Sequence, residues 1–229
     1  IIFGSFSLGY ALFQIPGGWA ADRFGPRRIL ALSLAWWSIF TGLTAAAIGL
    51  WSMAAYRFLF GIGEAAAFPS ASRALVRWLP VSQRAFGQGF QHSGSRLGAA
   101  ITPPLVVAMI AWMGWRGVFI VFGVFGLVWA VLWLWYYRDF PEDHSGVNQE
   151  ELEILKLSGF TGKKRDVEVP WGLILRNRNV WFLSSMYFCY GWVLWMYLTW
   201  LPSYLKEARG FEDMKMGIYA SIPLFAATA

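Results

Sequence analysis

The chain has 229 residues, of which 57% are hydrophobic, 19% aromatic and 14% charged. A single water-soluble core of this length cannot bury so much apolar surface, which excludes an ordinary soluble enzyme. The formal net charge is +6, but the basic residues occur in short groups between apolar stretches, so no nucleic-acid partner is expected. The only cysteine, Cys189, has no partner in the chain, which excludes a disulfide framework.

Seven apolar segments follow one another, and most are close to the roughly 20 residues that a helix needs to cross a membrane. Backbone groups in lipid must be satisfied within their own segment, so each segment is predicted to be a helix and the fold an all-α, polytopic bundle. The segments are residues 2–21, 29–50, 53–72, 86–111, 117–137, 180–204 and 214–229. The chain starts without Met inside one apolar segment and stops inside another, so we expect a fragment of a longer protein.

The connections between the segments predict the orientation and the domain boundaries. Most Lys and Arg residues lie in the first, third and fifth connections, which are therefore predicted to be cytoplasmic. The fifth connection, residues 138–179, is the only long one. It is predicted to separate an N-terminal helical half, residues 1–137, from the start of a C-terminal half, residues 180–229.

The long connection has local features of its own. Asn148 and Glu151 are predicted to cap a short helix, and residues 163–165 form a basic cluster. Trp171 follows a proline and is predicted to lie at the depth of the lipid headgroups. His144 is predicted to be a solvated loop residue without a site role.

Three charged residues fall inside the predicted spans: Arg57, Glu64 and Arg96. A charge near the bilayer centre costs about 2.5 to 3.5 kcal/mol on insertion scales, so these residues are functional candidates. Glu64 and Arg96 are predicted at nearly the same depth. Arg57 lies two helical turns before Glu64 on the same face, about 10 Å nearer the outside. The alternative is a buried ion pair that fixes helix register and transports nothing.

Polar side chains near the predicted mid-membrane level form a second group of candidates. Four of them follow a helical spacing in the fourth span: Gln88, Gln91, His92 and Ser95. Lipid would disfavour this polar stripe, so it is predicted to face water or substrate. The remaining candidates are Tyr10 and Gln14 in the first span and Tyr187 and Tyr190 in the sixth. For the tyrosines of the sixth span, packing between helices is an equally good explanation.

The connection between the first two segments carries a recognisable pattern, Gly17-Gly-Trp-Ala-Ala-Asp22-Arg23-Phe-Gly25-Pro-Arg27-Arg28. This pattern resembles the loop signature of the major facilitator superfamily between its second and third helices. The third segment, from Arg57 through Glu64 to Pro69, is similar to the fourth helix of the anion:cation symporter family within that superfamily. Bacterial members of that family carry sugar acids such as galactonate, glucarate and hexuronates. The resemblance extends over essentially the whole chain.

The resemblance implies that the seven segments are helices two to eight of a twelve-helix bundle in two halves. It implies that Glu64 is the membrane-embedded acid of proton coupling with Arg57 as its partner, and that Tyr10 and Ser95 line the substrate cavity. Arg96 departs from the family pattern. It also implies that the loop motif forms a cytoplasmic latch between the halves, which gives these candidates: Gly18, Asp22, Arg23, Gly25, Arg27, Arg28 and Arg73. Positive-inside topology alone is the alternative explanation for the arginines.

The sequence therefore predicts a secondary active transporter, a multi-pass protein of a bacterial inner membrane. It would couple the symport of a small organic anion, such as a sugar acid, to protons by alternating access. Glu64 would carry the proton, and the substrate would compete with it for a guanidinium group. An efflux antiporter of the same superfamily is the alternative, and a seven-helix receptor or a membrane-embedded enzyme is disfavoured. No cofactor or metal is expected; the expected partners are the anion, protons and the lipid bilayer, and the protein is expected to be monomeric.

Overall fold

The computed structural model describes residues 1–157 and 170–226, and no strand occurs in these ranges. The α-helices are α1 (Ile2–Phe24), α2 (Pro26–Thr44), α3 (Leu50–Glu64), α4 (Ala67–Trp78), α5 (Val81–Tyr136), α6 (Gln149–Leu157), α7 (Trp171–Arg176), α8 (Arg178–Ser203) and α9 (Asp213–Ala226). A 3-10 turn at Pro141–Asp143 precedes α6, and a π-helical turn at Tyr204–Ala208 follows α8. The all-α prediction is confirmed. The basic cluster at residues 163–165 and the last three residues of the final predicted segment lie outside the described residues.

The third predicted span differs from the structure, because two helices, α3 and α4, take its place. The interruption at Ala65 and Ala66 lies four and three residues before Pro69. A proline inside a helix has no N–H to donate, and its ring crowds the carbonyl four residues earlier, here that of Ala65. The break therefore falls directly after Glu64, which becomes the last residue of α3.

Helix α5 covers two predicted spans, residues 86–111 and 117–137. Its backbone leaves the helical region at Gly114, where φ is 70° and ψ is 167°. A residue with a Cβ rarely adopts this left-handed conformation, so the glycine allows the chain to change direction between the two spans. The two predicted segments therefore correspond to the two parts of α5 on either side of Gly114.

Helix α1 packs closely against α3 and α4 through small residues. A Cβ added at Gly61 in α3 would collide with the Phe6 carbonyl oxygen of α1. One added at Gly17 in α1 would come within 2.7 Å of the Ala66 Cβ. Such close approach of backbones is typical of membrane helices, which associate through packing rather than through the hydrophobic effect.

Length and composition identify one described helix, α5, as apolar enough to cross a membrane, with a mean hydropathy of 2.5 over its most apolar 18 residues. Helices α1, α2 and α8 have 23, 19 and 26 residues and are also long enough to span. Many large apolar side chains on these helices are exposed, among them Phe3 in α1, Leu32 in α2 and Trp192 in α8. This surface is suited to lipid rather than to water.

The described residues divide into two compact units. The first contains residues 1–92 and 108–157, and it includes α1 to α4, residues 81–92 and 108–136 of α5, and α6. The second contains residues 93–107 of α5 together with residues 170–226, which form α7, α8 and α9. The boundary between two helical halves in the long connection stays a prediction.

Candidate functional site

Glu64 occupies the end of α3, at the helix break described above. Its side chain is half-buried, and no positively charged group of the described residues lies within 4 Å of its carboxylate. The C-terminal end of a helix carries the negative end of the backbone dipole, which disfavours a second negative charge there. Few nearby groups therefore stabilise the negative charge of this carboxylate.

Arg57 lies two turns earlier on α3 and is also half-buried. Its guanidinium carbon is 5.5 Å from the ring centre of Phe60 and 4.9 Å from that of Phe119 in α5. Cation–π contacts of this kind stabilise a desolvated guanidinium without neutralising it. Arg57 and Glu64 interact electrostatically but form no direct ion pair, so the arrangement is not the tight buried pair that was the alternative.

The first unit also contains five of the predicted polar residues, of which Gln88 is half-buried. His92 stacks on Phe68 of α4, with ring centres 5.6 Å apart and planes inclined by 19°. The Oε1 atom of Gln91 is buried and has no hydrogen-bond partner among the described residues. Gln14 is half-buried, and the Tyr10 ring lies 5.7 Å from that of Phe6. An unsatisfied buried amide oxygen is uncommon in proteins and indicates a place where water or a ligand would bind.

The second unit brings three predicted residues together at the centre of α8. The Arg96 Nη2 group of α5 donates a hydrogen bond to the Tyr190 hydroxyl, and the Arg96 guanidinium carbon lies 5.3 Å from the centre of the Tyr190 ring. Tyr187 packs edge-to-face on Tyr190 with ring centres 6.0 Å apart. Ser95 is exposed and makes no side-chain hydrogen bond to the described residues. The sequence placed Arg96 and Tyr190 in the site separately, without indicating their contact.

The loop motif between α1 and α2 has three different kinds of contact. Asp22 forms an ion pair with Arg73 of α4 at 3.2 Å. The Arg23 guanidinium carbon lies 5.4 Å from the Trp19 ring centre instead of pairing with an acid. Gly25 has a φ of 90°, which favours glycine, and a Cβ there would collide with the Asp139 carboxylate.

Two further residues of the motif have less specific surroundings. Arg28 is exposed at the start of α2, and no ion pair involves it among the described residues. Gly18 is half-buried, and a Cβ added there would meet the Pro69 ring at an ordinary contact distance of 3.5 Å. The geometry at Gly18 and Arg28 restricts the residue type less strictly than the geometry at Gly25 does.

Asp139, which follows the end of α5, is a residue that the sequence did not identify. Its Oδ1 atom accepts a hydrogen bond from the Arg27 backbone N–H at 2.9 Å and lies 3.0 Å from the Arg77 Nη1 atom. The carboxylate thus satisfies a free N–H at the start of α2 and neutralises a cation of α4. Burial lowers the pKa of the Arg77 guanidinium, and the Asp139 carboxylate opposes this shift by stabilising the charged form. The sequence feature that could have identified Asp139 was an acidic residue next to Arg138.

His144 corrects another expectation, because it is half-buried rather than solvated. Its ring packs edge-on against Trp78 at 5.5 Å and against Tyr136 at 5.2 Å. These three side chains contribute to a cavity of about 430 Å³ beside α6. The predicted cap of α6 is confirmed: the Glu151 N–H donates to Asn148 Oδ1 at 2.8 Å, and the Asn148 N–H donates to Glu151 Oε2 at 3.0 Å.

Comparison with known proteins identifies a matching family and similar transporters. The family described as Major Facilitator Superfamily matches residues 1–229. A probable sulfoacetate transporter of Cupriavidus necator, SauU, is 44% identical over 227 residues, which cover 99% of this chain and 52% of the relative. A hexuronate transporter of Bacillus subtilis is 34% identical, over 97% of this chain and 51% of its own length. The chain thus spans about half the length of the curated relatives it matches.

A solved structure supports the same fold. The crystal structure of a bacterial homologue of the human lysosomal transporter Spinster, in an inward-facing and unoccupied conformation, superposes with a TM-score of 0.72. The sequences are 20% identical, and the match covers 97% of this chain and 50% of that chain. At this identity the likeness concerns the fold alone.

Proposed function

From the premise that this chain belongs to the Major Facilitator Superfamily, we propose that the protein is a proton-coupled symporter of a small organic anion. The chain is a multi-pass membrane protein and not an enzyme, as its relatives are transporters of this superfamily. The proposed substrate is a small carboxylate or sulfonate, because the relatives are named for sulfoacetate and hexuronate. The proposed location is the inner membrane of a bacterium, and the proposed cycle is alternating access.

The proton-coupling part of this proposal rests on the surroundings of the Glu64 carboxylate. A carboxylate within a membrane span is costly unless it is paired or protonated. Glu64 has no cation within 4 Å among the described residues, and we propose that protonation removes its charge during the cycle. Arg57 is held on two aromatic rings, close enough to favour the charged carboxylate without forming a permanent pair. A substrate anion that attracts Arg57 would weaken this support and favour proton uptake by Glu64.

The ion pair between Asp22 and Arg73 lies within the N-terminal half, and the proposed cytoplasmic latch adds a further contact from this Asp22 carboxylate to the other half. The Arg73 and Asp22 side chains are 42% and 59% exposed, although the Arg73 Nε atom itself is buried, so the pair contributes modestly to stability and can break at a moderate cost. A contact of this kind is suited to a conformational change in which the cytoplasmic side opens and closes. The proposed role of Asp22 is therefore in the rate of the cycle rather than in folding.

The test is transport by the full-length protein in proteoliposomes, with sulfoacetate and D-glucuronate as labelled probes. We expect the wild-type protein to accumulate one of them when the outside is acidic. The Glu64→Gln variant should lose accumulation driven by the pH gradient but retain exchange of labelled for unlabelled anion, because exchange needs no net proton movement. The matched control is Glu142→Gln, which removes an exposed carboxylate at the 3-10 turn and should transport normally.

Two outcomes would overturn the proposal. Accumulation by Glu64→Gln at the wild-type level would eliminate Glu64 as the proton carrier. A wild-type protein that moves neither anion in either direction would eliminate the substrate class.

A further inference from the structure

Among the described residues of its own unit, no acidic side chain lies near the middle of the span where Arg96 is found. Residues 93–107 and residues 170–203 contain neither Asp nor Glu. Tyr190 is near the middle of the 26-residue helix α8, so the contact of Arg96 with it lies roughly 18 Å from either end of that helix. This distance also places Arg96 beyond the reach of lipid phosphates, which border a hydrocarbon layer about 30 Å thick.

The partner of Arg96 is a neutral phenol, which accepts one hydrogen bond but does not balance the charge. The Arg96 guanidinium both donates to the Tyr190 oxygen and lies on the Tyr190 ring. A guanidinium inside a membrane span without an anion is unfavourable, and it has five N–H donors, of which this contact uses one. The charge and most of the donors of Arg96 are therefore available to an incoming anion.

Tyr190 can take part in binding the same anion. Its oxygen accepts from Arg96, and its own O–H donates to no acceptor among the described residues. Tyr190 as a whole is 51% exposed, and the edge of Tyr187 packs against its ring. A hydroxyl that accepts from a cation is polarised and becomes a better donor.

We propose that Arg96 and Tyr190 together form one receptor for an oxyanion, in which the Tyr190 hydroxyl donates to the same carboxylate or sulfonate group that Arg96 binds. This inference rests on the proposed function and names the part of the substrate that the second unit recognises. The anionic group of the substrate supplies the counter-ion that Arg96 lacks. Specificity then depends on the charge of this group, so a neutral sugar of the same size is rejected.

The test is binding of sulfoacetate and D-glucuronate to the purified full-length protein, measured by calorimetry for the wild type and four variants. Removing a hydrogen bond to a charged group weakens binding about 10- to 100-fold, which is the expected loss for Tyr190→Phe. Arg96→Gln should lose at least as much, and Arg96→Lys, which keeps the charge without the planar donor group, should lose less. The control is Tyr197→Phe, the same substitution two turns further along α8, which should change affinity less than about threefold.

The double variant of Arg96→Gln and Tyr190→Phe separates a joint receptor from two independent contacts. If the two side chains act as one unit, the double variant binds no more weakly than Arg96→Gln alone. D-Glucose, which has a hydroxymethyl group where D-glucuronate has its carboxylate, should not bind the wild type. The melting temperature of each variant without anion shows whether it folds, and Arg96→Lys replaces Arg96→Gln if the latter does not.

The outcomes distinguish this inference from the proposed function. If the wild type binds neither anion, both fail. If the wild type binds and transports an anion but Tyr190→Phe behaves like Tyr197→Phe, the joint receptor is wrong and the proposed function stands. Tight binding of D-glucose, or losses that add in the double variant, would also overturn the receptor.

Discussion

Replacement of Asp139 tests whether one carboxylate holds the adjoining ends of three helices together. Asp139 follows α5, accepts from the first turn of α2 through Arg27, and pairs with Arg77 at the end of α4. The side chains of Arg77 and Asp139 are 12% and 22% exposed, so this pair is much less solvated than a surface ion pair. Its removal should therefore have a larger effect than the loss of a typical surface salt bridge.

The expected magnitude follows from these contacts. Leaving one member of a buried pair without its partner costs about 3–5 kcal/mol, and the partial exposure of both side chains reduces this figure. The lost acceptor for the Arg27 N–H adds about 1 kcal/mol. We therefore expect Asp139→Ala to lower the free energy of unfolding by about 2–4 kcal/mol. Asp139→Asn should cost about half as much, because its amide oxygen can still accept from the Arg27 N–H.

The assay is equilibrium unfolding of the detergent-solubilised full-length protein, followed by tryptophan fluorescence, to which the 15 tryptophans of this chain contribute. The control is Glu142→Ala, which removes an exposed carboxylate three residues later and should change stability by less than about 0.5 kcal/mol. In an Arg77→Gln background the effect of Asp139→Asn should nearly disappear, because the charge it supports is gone. Equal stability of Asp139→Ala and Glu142→Ala would refute the reasoning.

Two other predictions concern the loop motif. Gly25→Ala forces a Cβ into a backbone with a φ of 90° and against the Asp139 carboxylate, so it should destabilise the protein by about 1–3 kcal/mol. Gly42→Ala, where a Cβ meets nothing within 4 Å inside α2, should be neutral or stabilising in the same unfolding experiment, and equal effects would contradict this explanation. Asp22→Asn should change stability by less than about 1 kcal/mol, because its pair with Arg73 is exposed, but it should slow transport about tenfold or more in initial-rate measurements. A normal rate with Asp22→Asn would mean that the pair is not a latch.

Local patterns in the sequence were sufficient for several structural features. Hydropathy and span length predicted the all-α bundle, since a backbone in lipid has no other way to satisfy its hydrogen bonds. The reciprocal cap between Asn148 and Glu151 depends on residues three apart, and the structure confirms it. The sequence also contains a signal for the helix break after Glu64, because Pro69 has no backbone N–H to donate and crowds the carbonyl of Ala65. A continuous run of apolar residues obscured this signal.

Contacts between distant segments were decided only by the tertiary structure. Asp139 lies 62 residues from Arg77 and 112 from Arg27, and Arg96 lies 94 residues from Tyr190. Periodicity shows which residues share a helix face but not which helix lies opposite that face. This depends on the close packing of particular glycines against particular backbones, such as Gly61 against Phe6. The sequence by itself therefore determined the kinds of helices and the candidate charged residues, whereas helix packing decided which acid meets which base and left Arg96 facing a phenol instead of a carboxylate.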